Sequence, residues 1–174
     1  VHRSVLNRVV VAGLIGGLLG CSGDDITGAT AGAELLSIVP VGGAVDVDPN
    51  EPVTIQFTHP MGWGMEQYVA LHEGDISRPA VAGTWTWSED RTSLTFTPDE
   101  PLKAQTQYTV HIGGGLMDGA GNLLDCRRGE QFGGQWVTSG MMGGMGSMSG
   151  SMTGYGWRHP GNENYGMVFS FTTA

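Results

Sequence analysis

Between Leu35 and Thr173 the chain returns to short runs in which apolar and polar residues alternate. Val53-Thr-Ile-Gln-Phe57 places Val53, Ile55 and Phe57 on one face of an extended strand. Val81 to Trp87 does the same with Val81, Trp85 and Trp87, Ser93 to Thr97 with Leu94 and Phe96, and Tyr108 to Ile112 with Tyr108, Val110 and Ile112. Leu35 to Val39, Tyr68 to Leu71 and Met167 to Thr173 complete the series, the last turning Phe169 and Phe171 inward. Gly, Pro, Asn and Asp punctuate the runs, and no stretch has the period of an amphipathic helix. A surface apolar on one side only must be covered by another like it. The pattern therefore predicts an all-β fold, an Ig-like antiparallel β-sandwich of about seven strands. Its expected core is Phe57, Trp85, Phe96, Tyr108, Phe169 and Phe171.

Ahead of the strands lie Arg3 and Arg8 without an acid, an apolar run from Val9 to Leu19, and Leu18-Leu19-Gly20-Cys21. A basic start, a short apolar stretch and a small residue before a cleavage point make an export signal over residues 1–20. The run is shorter than the about 20 residues of a membrane-spanning helix. Its ending resembles the lipobox of bacterial lipoproteins, which implies that Cys21 becomes the N-terminus and carries lipid. Residues 21–33 are then a polar tether and 34–174 the Ig-like domain. The expected location is the cell envelope, lipid-anchored, at the outer membrane or facing the periplasm. With 8 basic and 17 acidic residues the net charge is −9, and removing the two arginines makes it more negative. Such a surface excludes nucleic acid as a partner and leaves the lipid anchor as the contact with membrane.

The domain carries an unusual insertion, residues 123–167, placed before the last strand. Six of the nine methionines fall between Gly140 and Met167: Met141, Met142, Met145, Met148, Met152 and Met167. Gly and Ser separate them almost throughout, and Tyr155, Trp157 and His159 follow the first five. Glycine at this density is costly in a helix, and the methionines have neither period nor apolar company. The stretch reads as a loop presenting thioethers. Two accounts of it stand open. Thioether sulfur is soft and uncharged and favours Cu(I) or Ag(I), and the spacings Met142-x-x-Met145 and Met145-x-x-Met148 allow several sulfurs to close on one ion. Alternatively it is a low-complexity insertion whose methionines are adaptable contacts or targets of oxidation.

The order SIVPVGGAVDVDPNEPVTIQFTHPM, then SLTFTPDEPLKAQTQYTVHIGGGLMDGAGNLL, then FSFTT resembles the SbsA-type bacterial Ig-like domain. The resemblance implies a non-catalytic module of surface and envelope proteins, and it accounts for Pro60-Met61 without a metal. In an Ig-like sandwich the connections holding His59 to Met65 and Met117 to His159 emerge at one end. His59, Met65, Met117 and His159 would then join Met141, Met142, Met145, Met148 and Met152 around a metal. His111 is expected to point outward near that end, and His72 to lie at the other. A looser architectural likeness links the chain to CopC-type periplasmic copper carriers. Asp118-Gly-Ala-Gly-Asn122 lacks the alternating carboxylates of a calcium loop and predicts a tight turn. Once Cys21 carries lipid, Cys126 is a lone thiol, either free or a soft ligand beside the methionines.

No nucleophile elbow, HExxH, P-loop or dinucleotide fingerprint occurs, so no enzyme is expected. The function expected is a non-catalytic envelope lipoprotein whose Met/His-rich loop captures or buffers Cu(I) or Ag(I), with Cu(I) as the sole cofactor. The alternative is a structural or adhesive module that binds another envelope protein or a glycan through the loop.

Overall fold

The computed structural model describes residues 32–136 and 166–174. Among the described residues there are eight strands: β1 (Leu35–Val39), β2 (Val53–Phe57), β3 (Val69–Glu73), β4 (Gly83–Trp87), β5 (Ser93–Pro98), β6 (Gln107–Ile112), β7 (Gln135–Trp136) and β8 (Met167–Thr172). Two 3-10 turns, Met65–Tyr68 and Arg127–Phe132, are the helical elements among the described residues. The strands form two antiparallel sheets, β1-β2-β5-β4 and β3-β6-β8-β7, as the alternating runs require. Among the described residues no helix is long and apolar enough to cross a membrane.

The inner faces carry the core. Ile38, Val53, Ile55, Phe57, Leu94 and Phe96 from one sheet meet Leu71, Tyr108, Val110, Ile112, Phe169 and Phe171 from the other, all buried. Each aromatic of that set removes a large apolar area from water, which is the main force closing the sandwich. Trp85, expected inside, is half-buried: it sits on edge strand β4 and leans on Phe96, ring centroids 4.9 Å apart.

Three elements differ from the sequence expectation. The run Tyr68 to Leu71 becomes a 3-10 turn ending at Tyr68 and then β3, which continues to Glu73. Gly83, not Val81, begins β4, and its bare Cα lets the strand lie against Phe96: a Cβ there would stand 2.4 Å from the ring. A strand the sequence reading lacks, β7, lies within the span read as insertion and pairs with β8, Trp136 opposite Met167. The preceding Arg127–Phe132 turn packs on β1, with Gly129 pressed against Met167, Phe169 and Leu35.

Asp118 organises the tight turn expected after β6. Its carboxylate accepts the Ala120 and Asn122 backbone N–H groups at 2.9 and 2.8 Å and the Asn122 side-chain amide at 3.0 Å, while Gly121 takes a φ of 87°. Burial pushes this carboxyl up, but the hydrogen bonds from Asn122 and Ala120 outweigh it and hold the group below the usual range.

Candidate functional site

The pairing places several connections at one pole of the sandwich. Leu35 lies opposite Phe57, Val69 opposite Ile112, and Ile112 opposite Met167. The start of β1, the β2–β3 and β4–β5 connections, the exit from β6 and the facing ends of β7 and β8 therefore share that end. The gathering expected from an Ig-like topology is present for the described residues.

Met65 and Met117 meet there. Met65 Sδ accepts the Met117 backbone N–H at 3.2 Å, and the Met117 carbonyl accepts the Gly62 N–H at 2.9 Å. The Met65 sulfur thus ties the β2–β3 connection to the β6 exit. His59 is exposed, its Nδ1 2.9 Å from Thr58 Oγ1, and Met61 is buried in the core. Among the described residues no group of three or more His, Cys, Asp and Glu is arranged to hold a metal. Met141, Met142, Met145, Met148, Met152 and His159, and the lipidation residue Cys21, lie outside the described residues.

Cys126 is a free thiol among core residues, and burial with the neighbouring Asp125 pushes its pKa up to about 12. A thiol so held stays protonated, which disfavours it as a ligand.

The sequence did not reveal the most polar feature of this pole. Arg91, at a φ of 56° in the β4–β5 turn, donates through Nε to the Met61 carbonyl at 2.7 Å and through Nη2 to the Gly62 carbonyl. Its guanidinium lies 4.4 Å from the Trp63 ring centroid and 4.7 Å from that of Trp87. Trp87 in turn donates its indole N–H to Glu66 at 2.8 Å. Trp63 remains 85% exposed, so one indole face is offered to solvent while the other is held by a cation.

Two histidines depart from expectation. His111 does project to the outer face of its sheet, yet it is fully buried there. His72 is fully buried as well and lies close to His111, ring centroids 6.4 Å apart, rather than at a remote pole. The reason is local. The connection after β3 folds back over the strand, burying Ile76, bridging Ala80 to His72 and setting the Arg78 carbonyl 2.8 Å from His72 Nδ1.

That burial has a pH consequence. Desolvation lowers the His72 pKa, opposed by hydrogen bonds to the Arg78 and Pro79 backbone and by the charge of Asp75. The groups facing it are His111 and Thr109 on β6 and Asp75 and Arg78 on the covering connection. As pH falls through about 6.5 the unfolded chain takes up the proton before the folded one, so stability drops on acidification. Urea midpoints of the parent should fall between pH 7.5 and 5.5, and His72→Asn should shrink that fall. Equal slopes would mean that His72 titrates alike in both states.

At the opposite pole an open groove is lined by Glu73, Arg78, Asp99, Glu100, Lys103 and Gln107. Lys103 is bound to Glu73 across it at 2.8 Å, and nothing there converges on a reacting atom.

Two face-to-face antiparallel sheets with this order define the chain as an Ig-like sandwich. Residues 29–132, more than half of its length, match the bacterial Ig-like domain, and the chain belongs to that family, a non-catalytic type of module. The match ends before the methionine-rich segment and the last strand. Similar solved structures include an L,D-transpeptidase from Mycobacterium smegmatis, 26% identical, TM-score 0.38, over 54% of this chain and 39% of that one. The N-terminal part of the bacterial S-layer protein SbsC is 19% identical, TM-score 0.41, over 56% and 22%. Native alpha-2-macroglobulin from Escherichia coli, domains MG0-NIE-MG1, is 16% identical, TM-score 0.39, over 54% and 29%. The chain spans well under two thirds of each of these. A search of the curated proteins finds no match.

Proposed function

We propose that the chain is a non-catalytic module of the cell envelope that holds its methionine-rich segment at one pole of an Ig-like sandwich for capture of Cu(I) or Ag(I). One observation carries this: Trp136 and Met167, which flank the segment, stand opposite each other in the β7–β8 ladder. The sandwich therefore fixes both ends of the segment, and Met65 and Met117 lie at the same pole. A clamped loop loses less entropy when several thioethers close on one ion than a free peptide does.

The amino-terminal tether joins this pole too. Gly32 and Ala33 run beside Asn122 to Asp125, where the Asp125 N–H donates to the Ala33 carbonyl at 2.9 Å. With Cys21 lipidated, the methionine-rich pole would face the membrane surface, suited to an ion leaving a membrane transporter. The stacked, exposed Trp63 favours a second role for the same pole, contact with an envelope protein or a glycan.

Competition between the full chain and a Cu(I) chelator under reducing conditions tests the first role. Replacing Met141, Met142, Met145, Met148 and Met152 by Leu keeps bulk and removes sulfur. The parent should outcompete that variant by more than about tenfold, and Zn²⁺ should not displace the ion, because Zn²⁺ prefers thiolate, imidazole and carboxylate. Equal affinities would remove the methionines as ligands and leave the contact role of Trp63.

A further inference from the structure

Among the described residues the two sheets end in four edge strands, and three of them are blunted. β1 is flanked by the chain after β6: Glu34 bridges Asp125, and the Gly42 N–H donates to the Phe132 carbonyl at 2.8 Å. β3 is closed by the connection that follows it, Ala80 bridging His72 and the Val81 N–H donating to the Leu71 carbonyl at 2.7 Å. β7 is two residues long. β4 stands open. Its five residues, Gly-Thr-Trp-Thr-Trp, carry no charge and no proline, pair with β5 without a register shift, and leave Gly83, Thr84 and Thr86 exposed. A regular, uncharged edge is what a sheet avoids unless another strand is to be added.

The β4–β5 ladder tells which backbone groups are on offer. The Asp99 N–H donates to the Ala82 carbonyl at 3.1 Å and the Ser88 N–H to the Ser93 carbonyl at 2.9 Å. By the alternation of an antiparallel pair, the positions bonded toward β5 are Ala82, Thr84, Thr86 and Ser88. The N–H and C=O groups of Gly83, Trp85 and Trp87 therefore point the other way, out of the sheet edge. Pro98, opposite Gly83, has no N–H to give, in keeping with that alternation.

The row is complementary to itself. Two copies of β4 set antiparallel about a two-fold axis at Trp85 pair Trp85 with Trp85, Gly83 with Trp87 and Thr84 with Thr86. In that register each outward N–H and C=O of Gly83, Trp85 and Trp87 meets a partner, and a one-residue slip sets them against groups already bonded to β5. Gly83 brings no side chain against the Trp87 indole of the other copy. The half-buried Trp85 rings gain an aromatic neighbour, and the threonines form cross-strand pairs. Charge permits the contact. The nearest carboxylates in sequence, Glu89 and Asp90, fall opposite Val81 and Ala80, so two chains of net charge −9 meet along a neutral strip. We infer that β4 is a self-association edge, through which a second copy of this chain extends the β1-β2-β5-β4 sheet into one continuous across the pair.

This association does not rest on metal capture. The copies run antiparallel, so their methionine-rich poles lie at opposite ends. Residues 21–33 reach up to about 40 Å when extended, more than the roughly 20 Å of a six-residue strand, so both tethers reach one membrane.

One strand pair is small beside the about 800 Å² per partner of a standard interface, so the association is weak and is best read by trapping it. The test mixes two full chains of different tag length, one with Thr84→Cys and the other with Thr86→Cys, both carrying Cys21→Ser, in oxidised glutathione. Cys126 is buried and protonated and takes no part. Directly opposed residues of a non-hydrogen-bonded pair have the separation a disulfide needs, whereas Thr84 and its own copy lie on a diagonal. The mixed disulfide is expected at least about tenfold above either chain's disulfide with itself. A second measurement needs no cysteine. Sedimentation equilibrium compares Thr84→Lys/Thr86→Lys, which opposes like charges across the pair, with Thr84→Lys/Thr86→Glu, which opposes unlike ones. Both threonines are exposed, so the sandwich itself tolerates either change. The like-charged variant should associate at least about tenfold more weakly than the other. A mixed disulfide no more abundant than the self-disulfides, or equal association of the two charge variants, would overturn the β4 pairing. Neither readout involves a metal, so the outcome is independent of the methionine account.

Discussion

Truncating Phe169 to Ala should cost about 3–5 kcal/mol, a large share of the stability of a domain this size. Phe169 is fully buried on β8 and pairs with Val110, and its ring lies under Gly129 of the Arg127–Phe132 turn and under Gly134 just after it. Cβ atoms added at Gly129 and Gly134 would stand 3.0 and 2.6 Å from it. Those backbones pack on the ring and cannot collapse into the space without uncoupling the turn from β1. Removing Gly140 to Gly156 should cost far less, because closure entropy changes slowly with loop length. Urea unfolding of the two variants reads the contrast. A deletion as damaging as the truncation would make the methionine-rich segment part of the core.

Gly166→Ala is expected to lose about 2–4 kcal/mol, from backbone strain together with a clash against main chain. Gly166 has a φ of 102°, and a Cβ there would lie 1.9 Å from the Ile112 carbonyl oxygen. The chain enters β8 at this point, so the β6–β8 register must give before the methyl fits. Loss should appear in the urea midpoint and as faster exchange of the Ile112 and Met167 amides. A variant as stable as the parent would show that the β8 entry tolerates another path.

Much of this architecture was legible because alternation states which face is buried. Val53, Ile55 and Phe57 are buried as their spacing requires, and so are Tyr108, Val110 and Ile112. The family resemblance and Asp118-x-x-Gly121-Asn122 were legible for a related reason, since a tight turn restricts its residues locally. What escaped depends on segments meeting from a distance. β7 is two residues long, too short to show a period, and exists through its pairing with β8. His72, Thr109 and His111 occupy the polar positions of alternating strands, which spell solvent until a connection folds over them. Arg91 has no local signal at all: its position is fixed by Trp63 and Trp87 from separate elements. The methionine-rich composition carries no signal of placement, and the ladder between Trp136 and Met167 gives the placement of the residues that flank the segment.

The central claim, a soft-metal pole built on an Ig-like sandwich, is tested most directly by methyl NMR of the full chain labelled at methionine Cε and titrated with Ag(I). The nine methionines report separately. The account predicts that the resonances of Met141, Met142, Met145, Met148 and Met152 shift together at low metal equivalents while the buried Met61 and Met167 stay in place. Shifts spread evenly over all nine, or no shift until silver is in large excess, would contradict it.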